Sequence, residues 1–375
     1  MESSLRIARI RGIDIGIHFS WLFIFFLITW SLATGFFPEL FPGMDPTMNW
    51  VLAVISALLL FVAVLLHELS HAFVALSRGI PVQSITLFLF GGVANMKTDV
   101  ETAKDEFLIA IVGPITSLAI GGLCWVALQV VGVANVPVAA VLYYLAYVNV
   151  LLAVFNMVPG FPLDGGRVLR SIVWAVTDNV LKATRVASIV GRIIAYLFIF
   201  GGLYLAFTGV FLSGIWLIFI GWFLNTAAEG AYQQVLQKQL LEGVRVGEVM
   251  EPEPIGVPPS LSVSTLVDDY ILRRGLRALP VIEGDRTIGI ITLTDIKEQP
   301  RERWDTLTVG EVMGGRDGVR MVSPRDSLAR AMSLLVDQDL NQVPVMDNGR
   351  LVGMLSRGRL LRNLQLRQEL GQGSR

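Results

Sequence analysis

Two histidines and a glutamate stand in an arrangement that can bind a metal ion and activate water. His67, Glu68 and His71 form the pattern H-E-x-x-H. On a helix, side chains four positions apart project from one face, so the two imidazoles can ligate one zinc ion. The adjacent glutamate can act as general base. A chance occurrence of the pattern at a helix end is the alternative interpretation.

The sequence around this motif is strongly apolar from Trp50 to Leu76. Ionisable groups at membrane depth are costly, about 2.5–3.5 kcal/mol for an acidic residue at the centre of a spanning helix. Ionisable residues in such a setting therefore indicate a functional site rather than chance. The pattern predicts a metal centre within a membrane-spanning helix.

A catalytic zinc site uses three protein ligands, and Asp164 is the best candidate for the third. It lies in residues 156–166, a stretch with two prolines and three glycines that ends a predicted span at the depth of the histidines. A broken helix lets a carboxylate turn towards a metal, but the aspartate could equally cap the next helix. His18 either contacts the site or is an interfacial histidine bonded to backbone. Cys124 is expected in mid-span.

Composition divides the chain into an apolar part and a soluble part. Of 375 residues, 53% are hydrophobic, and the mean hydropathy of +0.62 indicates an integral membrane protein. Residues 12–230 carry the long apolar runs, whereas residues 231–375 resemble an ordinary soluble domain. The net charge of −1 gives no support for nucleic-acid binding, and a single cysteine excludes an internal disulfide. The basic N-terminus lacks a small-residue cleavage site, which favours a retained first span over a signal peptide.

Basic residues orient the predicted spans. The loops at 37–50, 132–138 and 209–212 contain no Lys or Arg, whereas the alternate segments are basic. By the positive-inside rule, both termini are cytoplasmic in a multi-pass protein of the cell (inner) membrane. Length and apolarity predict six spans, at residues 17–36, 51–77, 106–131, 139–158, 190–208 and 213–230.

Two further segments are expected to lie at the membrane without crossing it. Residues 82–94 are β-branched, flanked by glycine and too short to span, which predicts strands or a re-entrant hairpin packed against protein. Residues 166–189 mix apolar and basic positions. This mixture predicts an interfacial amphipathic helix on the cytoplasmic side.

These motifs resemble those of the site-2 protease family of intramembrane zinc metalloproteases. The resemblance covers residues 1–230 and consists of H-E-x-x-H in a span, Gly113-Pro114 in the next, and the run from Asn156 to the LDG at 163–165. It implies that His67, His71 and Asp164 hold zinc and that Glu68 is catalytic. It also implies that Asn156 positions substrate or stabilises the oxyanion. Residues 91–95 resemble the family's membrane-embedded β-hairpin, where a substrate strand pairs.

Residues 245–365 contain an internal repeat at an offset of 63 or 64 residues. The order of elements, strand–helix–strand–strand–helix, resembles a tandem pair of CBS domains, which often dimerise. The predicted domains are a transmembrane unit (1–230), a linker (231–244), two CBS domains (245–300 and 308–366) and a tail (367–375). The recurring landmarks are 246–250 with 309–313, 279–282 with 343–346, and 289–292 with 353–356.

The resemblance to CBS domains also implies an adenine-nucleotide site. Its G-x-x-[ST]-x-x-D pattern is met in the first repeat by Gly289, Thr292 and Asp295. In the second repeat Ser356 is present, but Arg359 replaces the aspartate. That departure either removes the second site or suits it to a more anionic ligand. A docking or dimerisation module without ligand is the alternative.

The sequence thus predicts an α-helical multi-span membrane protein with a membrane-embedded β-hairpin and a cytosolic α/β CBS pair. Its predicted function is zinc-dependent cleavage of a transmembrane segment of a single-span membrane protein, in contact with membrane lipid. Nucleotide binding to the CBS pair is expected to control this cleavage. The expected cofactor is one Zn²⁺ per chain. The alternative is a CBS-regulated metal or ion transporter that uses the His, Glu and Asp cluster as its transport site.

Overall fold

The computed structural model contains two compact units, residues 1–233 and 234–375. It describes residues 4–89, 91–96, 98, 100–132, 135–241, 243–284, 286–315, 320–338, 340–348 and 350–370. Part of the predicted tail, residues 371–375, lies outside that set. The first unit holds the apolar helices and a small sheet, and the second holds the repeats.

Six helices in the described part of the chain are long and apolar enough to cross a membrane, which confirms the number predicted. The first is interrupted: α1 (Ser20–Ser31) passes through a π-helical turn (Leu32–Phe36) into α2 (Phe37–Leu40). The boundary between the two units falls inside the last of these helices, between residues 233 and 234. That helix therefore also contains most of the predicted linker, residues 231–244. The other five are α3 (Pro46–Ser77), α4 (Ala103–Val131), α5 (Val136–Asn156), α7 (Val180–Phe207) and α8 (Phe211–Leu241).

Capping residues explain where these helices begin. Asp45 precedes α3 and accepts the backbone N–H of Thr47, with Pro46 at the first helical position. Hydrogen bonds from the side chain and backbone of Thr47 hold the pKa of the exposed Asp45 carboxyl below its ordinary value. Thr102 and Asn135 cap α4 and α5 in the same way. The charged and polar caps therefore fix helix starts that hydropathy alone places only within a few residues.

A four-stranded sheet packs beside α3 in the order β1-β2-β3-β4. The predicted hairpin at 82–94 is confirmed as β3 (Val82–Phe88) and β4 (Gly91–Met96). The other two strands, β1 (Ser4–Ile10) and β2 (Ile13–His18), are not predicted from the sequence. Strand β2 runs parallel to β3. Alternation in the stretch I-D-I-G-I-H was the available signal. Two of its three isoleucines, Ile13 and Ile15, are fully buried together with Ile85.

The predicted single helix at 166–189 is instead two elements. Helix α6 (Asp164–Thr177) ends where Asp178 adopts the left-handed backbone conformation, with φ of 49°. Asn179 then caps α7 by accepting the N–H of Lys182 at 2.8 Å. An Asp-Asn pair favours such a break because both side chains bond to nearby backbone. The amphipathic pattern belongs to α6, and residues from 180 onwards extend the fifth span.

In the second unit, each sheet combines strands from both repeats. Strand β7 of the first repeat pairs with β6 and with β8, which follows the start of the second repeat. Strand β10 pairs with β9 and with β5 from the first repeat. The two repeats therefore form one module. The strands are β5 (Glu251–Pro252), β6 (Ala278–Glu283), β7 (Arg286–Thr292), β8 (Gly314–Gly315), β9 (Gln342–Asp347) and β10 (Arg350–Ser356).

Short helices complete the module and recur at equivalent places in the repeats. The predicted α/β character of this part of the chain is confirmed. A π-helical segment (Leu266–Leu272) continues α10, and a 3-10 turn (Arg301–Arg303) precedes α12. The helices are α9 (Val246–Val249), α10 (Val263–Thr265), α11 (Leu293–Lys297), α12 (Val309–Val312), α13 (Leu328–Asp337) and α14 (Arg357–Glu369).

Candidate metal centre

Three potential ligand atoms converge in the first unit. The Nε2 atom of His67 lies 3.1 Å from Oδ2 of Asp164, and that of His71 lies 3.2 Å from the same oxygen. The ligand atoms of the three residues all lie within 4.8 Å of one another. A tetrahedral zinc ion with bonds of about 2.0–2.2 Å separates its ligands by about 3.3–3.5 Å. The observed spacing is close to that requirement.

The hydrogen bonds of the imidazoles also fit a cation. Nδ1 of His71 donates to the backbone carbonyl of Ile109 at 2.5 Å, so a neutral His71 presents an unprotonated Nε2. That nitrogen and the Asp164 carboxylate are both acceptors, and two acceptors so close repel unless a cation or proton lies between them. Nδ1 of His67 bonds to Ser117 Oγ at 2.9 Å, and both residues are buried. The donor set therefore suits zinc, whose histidine ligands are oriented in this way.

Helix α4 supplies the surface against which both imidazoles rest. Gly113 lies directly against them: a Cβ at this position would clash with Nε2 of both His67 and His71. The carbonyl of Ile109 and the hydroxyl of Ser117 lie one turn before and after it on the same helix. In the sequence, the Gly113-Pro114 pair contributes only to the family resemblance, and no local pattern predicts that this helix orients the imidazoles.

Asp164 reaches the histidines because the preceding loop folds tightly. Gly166 packs against the backbone of Gly160 and Phe161, so closely that any side chain there would clash. Phe161 N–H donates to the Ala187 carbonyl of α7 at 3.2 Å. Asp164 is the first residue of α6 and follows this loop directly. Asp164 thus faces the histidines and does not cap the helix, because Leu163 occupies the N-cap position and no side-chain capping bond is made there.

Glu68 lies under the edge strand of the sheet. A Cβ at Gly92 in β4 would clash with the Glu68 side chain, so the strand passes directly over that carboxylate. In the described residues β4 pairs with β3 on one side only. The arrangement places a potential general base between the metal-ligand cluster and a strand that another extended chain could join.

The remaining first-unit candidates lie outside the cluster. Asn156 is the last residue of α5, and its side-chain amide donates to the carbonyl of Leu152 at 3.1 Å. His18 ends β2, and its Nδ1 bonds to the hydroxyl of Ser20 at 2.8 Å. Among the described residues the potential metal group consists of His67, His71 and Asp164.

In the second unit, the residues predicted to bind a nucleotide make contacts that hold the fold together. Thr292 and Asp295 form a capping box at α11: Oδ2 of Asp295 accepts the Thr292 N–H and hydroxyl, each at 2.7 Å. Gly289 lies against β8, where a side chain would meet the Gly314 carbonyl.

The second repeat differs at this place. Ser356 Oγ accepts the Arg359 N–H at 3.2 Å, and the guanidinium of Arg359 donates to the Val249 carbonyl at 2.9 Å. It also lies 3.5 Å from a carboxylate oxygen of Glu251. The two repeats therefore present a carboxylate and a guanidinium, respectively, at equivalent positions.

Comparison with known proteins agrees with the division of the chain. The family model of Peptidase family M50 matches residues 55–137 and 128–201. The CBS-domain model matches residues 246–302 and 309–366.

Relatives match over almost the whole length. A Synechocystis protein named sll0528 is 34% identical over 371 residues, covering 97% of this chain and 96% of the relative. Rip3 of Mycobacterium tuberculosis is 35% identical over 331 residues, covering 88% and 84%. A solved site-2 protease from Methanocaldococcus jannaschii is 31% identical and covers 61% of this chain and 95% of its own, with a TM-score of 0.43.

The chain belongs to Peptidase family M50, the site-2 proteases, with an appended CBS pair. Its relatives sll0528 and Rip3 are named zinc metalloproteases, and the chain is a multi-pass zinc metalloprotease. The predicted class is confirmed, and the transporter alternative is not favoured.

Proposed function

We propose that the protein cleaves a transmembrane segment of a single-span membrane protein, in regulated intramembrane proteolysis, with His67, His71 and Asp164 as the ligands of one Zn²⁺. The observation that carries this proposal is the convergence of two imidazole nitrogens on one carboxylate oxygen within 3.1–3.2 Å. Zinc supplies Lewis-acid polarisation of the scissile carbonyl and lowers the pKa of water.

Glu68 and Asn156 are the proposed catalytic side chains. Glu68 accepts a proton from the attacking water and returns it to the leaving amine. Asn156 releases its bond to the Leu152 carbonyl and donates to the developing oxyanion, where one such donor contributes about 2.7–4 kcal/mol.

The substrate is proposed to bind as an added strand at β4. A peptide bond in a transmembrane helix is shielded by its own turn, so the substrate must first become extended. The edge of β4 then supplies backbone hydrogen bonds, and Gly92 allows the substrate to approach Glu68 without an intervening side chain. Helix-breaking residues in the substrate favour this step.

The proposed location is the cell (inner) membrane with both termini cytoplasmic. The distribution of Lys and Arg supports this orientation. It puts the H-E-x-x-H motif in the cytoplasmic third of α3, because that helix ends at Ser77 and the motif lies in its last three turns. We expect lipid to surround the six spanning helices. Because the motif lies near the cytoplasmic side, we expect water to reach it from the cytoplasm.

Removal of the metal tests the proposal directly. We expect purified protein in detergent to cleave a model single-span substrate and to lose that activity with phenanthroline, because two histidines and one carboxylate cannot polarise a carbonyl without the ion. Adding zinc back should restore cleavage. Gel-resolved products and the metal content of the protein are measured together. Cleavage that persists in metal-free protein would contradict the proposal.

We further propose that the CBS unit binds an adenine nucleotide and that binding regulates cleavage. The support is the Thr292–Asp295 pair at the start of α11, whose capping bonds use one carboxylate oxygen, Oδ2. The other oxygen can accept a ribose hydroxyl. Arg359 in the second repeat suits a phosphate instead. Self-association through this unit stays a prediction.

Nucleotide titration of the full-length protein tests the binding on which this regulation depends. We expect AMP or ATP to bind, and Asp295→Asn to weaken binding at least about tenfold, because a lost charged hydrogen bond costs about 1.5–3 kcal/mol. Asp269→Asn is the control, since that carboxylate is exposed and lies 3.8 Å from Arg273. Equal binding by all three proteins would remove Asp295 from the nucleotide site, and no binding heat at all would argue for a docking module without ligand.

A further inference from the structure

An ion pair with a fully buried carboxylate and a partly buried guanidinium joins α4 to α6 near the metal-ligand cluster. Glu106, in the first turn of α4, is fully buried. Its Oε1 accepts hydrogen bonds from both Nε and Nη2 of Arg170, the former at 2.7 Å. Arg167 contributes a second positive charge, with Nε 3.9 Å from the same oxygen. Charge-assisted contacts of this kind are strongly directional.

This pair is a poor device for stability alone. Removing a carboxylate from water carries a penalty that the partner repays only when both oxygens are satisfied. Oε2 of Glu106 is buried and has no hydrogen-bond partner among the described residues. The role of the Glu106–Arg170 pair is therefore to fix the position of α6 relative to α4.

The two helices that it joins position different members of the metal-ligand cluster, whose two histidines lie on α3. Helix α4 holds both imidazoles, through the Ile109 carbonyl, Gly113 and the Ser117 hydroxyl. Helix α6 begins with Asp164. The guanidinium of Arg170 also lies over the Phe161 ring, 5.2 Å from its centroid, and so touches the loop that delivers the aspartate.

We propose that Glu106 and Arg170 are positioning residues that set the Asp164 carboxylate relative to His67 and His71. The Glu106 carboxylate fixes α6 on the same helix that orients the imidazoles, so the third ligand has one position relative to the other two. The inference rests on the proposed zinc ligation by Asp164. Neither residue touches the substrate in this assignment.

Zinc affinity in a double-mutant cycle tests the pair. The proteins are wild type, Glu106→Gln, Asp164→Asn and the double variant, each titrated with zinc against a competing chelator in detergent. We expect Glu106→Gln to weaken zinc binding about 10–100-fold, the range for residues that orient a metal ligand. In the Asp164→Asn background the same change should have almost no further effect, because Glu106 acts through that ligand.

Three readouts separate this role from a general loss of structure. Asp105→Asn changes the neighbouring residue, whose carboxylate faces Arg78 at 3.4 Å, and should leave zinc affinity unchanged. Arg170→Lys keeps the charge but loses the two-nitrogen contact and should give a smaller loss of affinity. In zinc-saturated Glu106→Gln protein, kcat should fall while KM stays constant.

The outcomes distinguish this inference from the proposed function. If Asp164→Asn does not weaken zinc binding, the ligand assignment fails and the inference fails with it. If Asp164→Asn weakens binding but Glu106→Gln has no effect, or lowers affinity equally in both backgrounds, only the positioning role is overturned. Should Glu106→Gln not fold, Arg170→Lys with and without Asp164→Asn gives the same comparison.

Discussion

Replacing Glu68 with glutamine is expected to abolish cleavage while zinc remains bound. The amide has nearly the shape of the carboxylate but cannot accept a proton from water, and positioned general bases contribute about 10²–10⁴-fold to rate. The two imidazoles and the Asp164 carboxylate do not depend on this side chain for their mutual contacts. We therefore expect kcat to fall by at least about 10²-fold with one zinc per chain retained.

The measurement pairs single-turnover cleavage of a model substrate with metal analysis of the same sample. Glu39→Gln is a suitable control because that residue lies in α2 with an exposed side chain. Loss of zinc together with activity would show that Glu68 holds the metal or the fold instead. Full activity in Glu68→Gln would remove it from the chemistry.

Local patterning reveals the parts of the site that lie close together in sequence. His67 and His71 are four residues apart, so any helix places them on one face, and the flanking apolarity puts that face inside a membrane protein. Asp164 is 93 residues beyond His71, and its place in a broken helix at the same depth allows either a metal ligand or a helix cap. The family resemblance, not local patterning, favours the ligand. The contact of Asp164 with both histidines requires the fold.

The groups that hold the ligands could not be predicted in this way. Ser117 and Ile109 act through α4, and an apolar helix gives no sign of which face meets a neighbour. A backbone carbonyl has no sequence signature at all. Glu106 stands in the first turn of a helix, where an acidic residue is ordinarily explained by the helix dipole, so its burial against Arg170 was unexpected.

The fold shows the same limit. Hydropathy locates six spans, because length and apolarity are properties of each helix alone. Strand β2 depends on parallel pairing with β3, about 70 residues later in the chain. Its alternating apolar residues lie in the basic segment before the first span, so they are easily assigned to the flank of that span. The exchange of β5 and β8 between repeats likewise depends on pairing across more than 20 residues, which periodicity cannot reveal.

A single methyl group at position 113 is expected to destroy the metal centre. Gly113→Ala adds a Cβ that clashes with Nε2 of both His67 and His71, and the Nδ1 bond to the Ile109 carbonyl prevents His71 from moving aside freely. A displacement of about 1 Å at a reacting centre costs about 10²-fold in rate. We expect zinc affinity and cleavage each to fall at least about 10²-fold.

The same helix offers a matched control for this effect. Gly122 also lies in α4, and a Cβ there meets nothing within 4 Å. Gly122→Ala should leave zinc content and cleavage intact and should stabilise the helix by about 0.5–1 kcal/mol, as alanine does in helix interiors. Competition for zinc and substrate cleavage are compared in the two variants. If Gly113→Ala behaved like Gly122→Ala, α4 would not be the surface that fixes the two imidazoles. A defect confined to position 113 would show that close approach of this helix, as much as the H-E-x-x-H motif itself, builds the site.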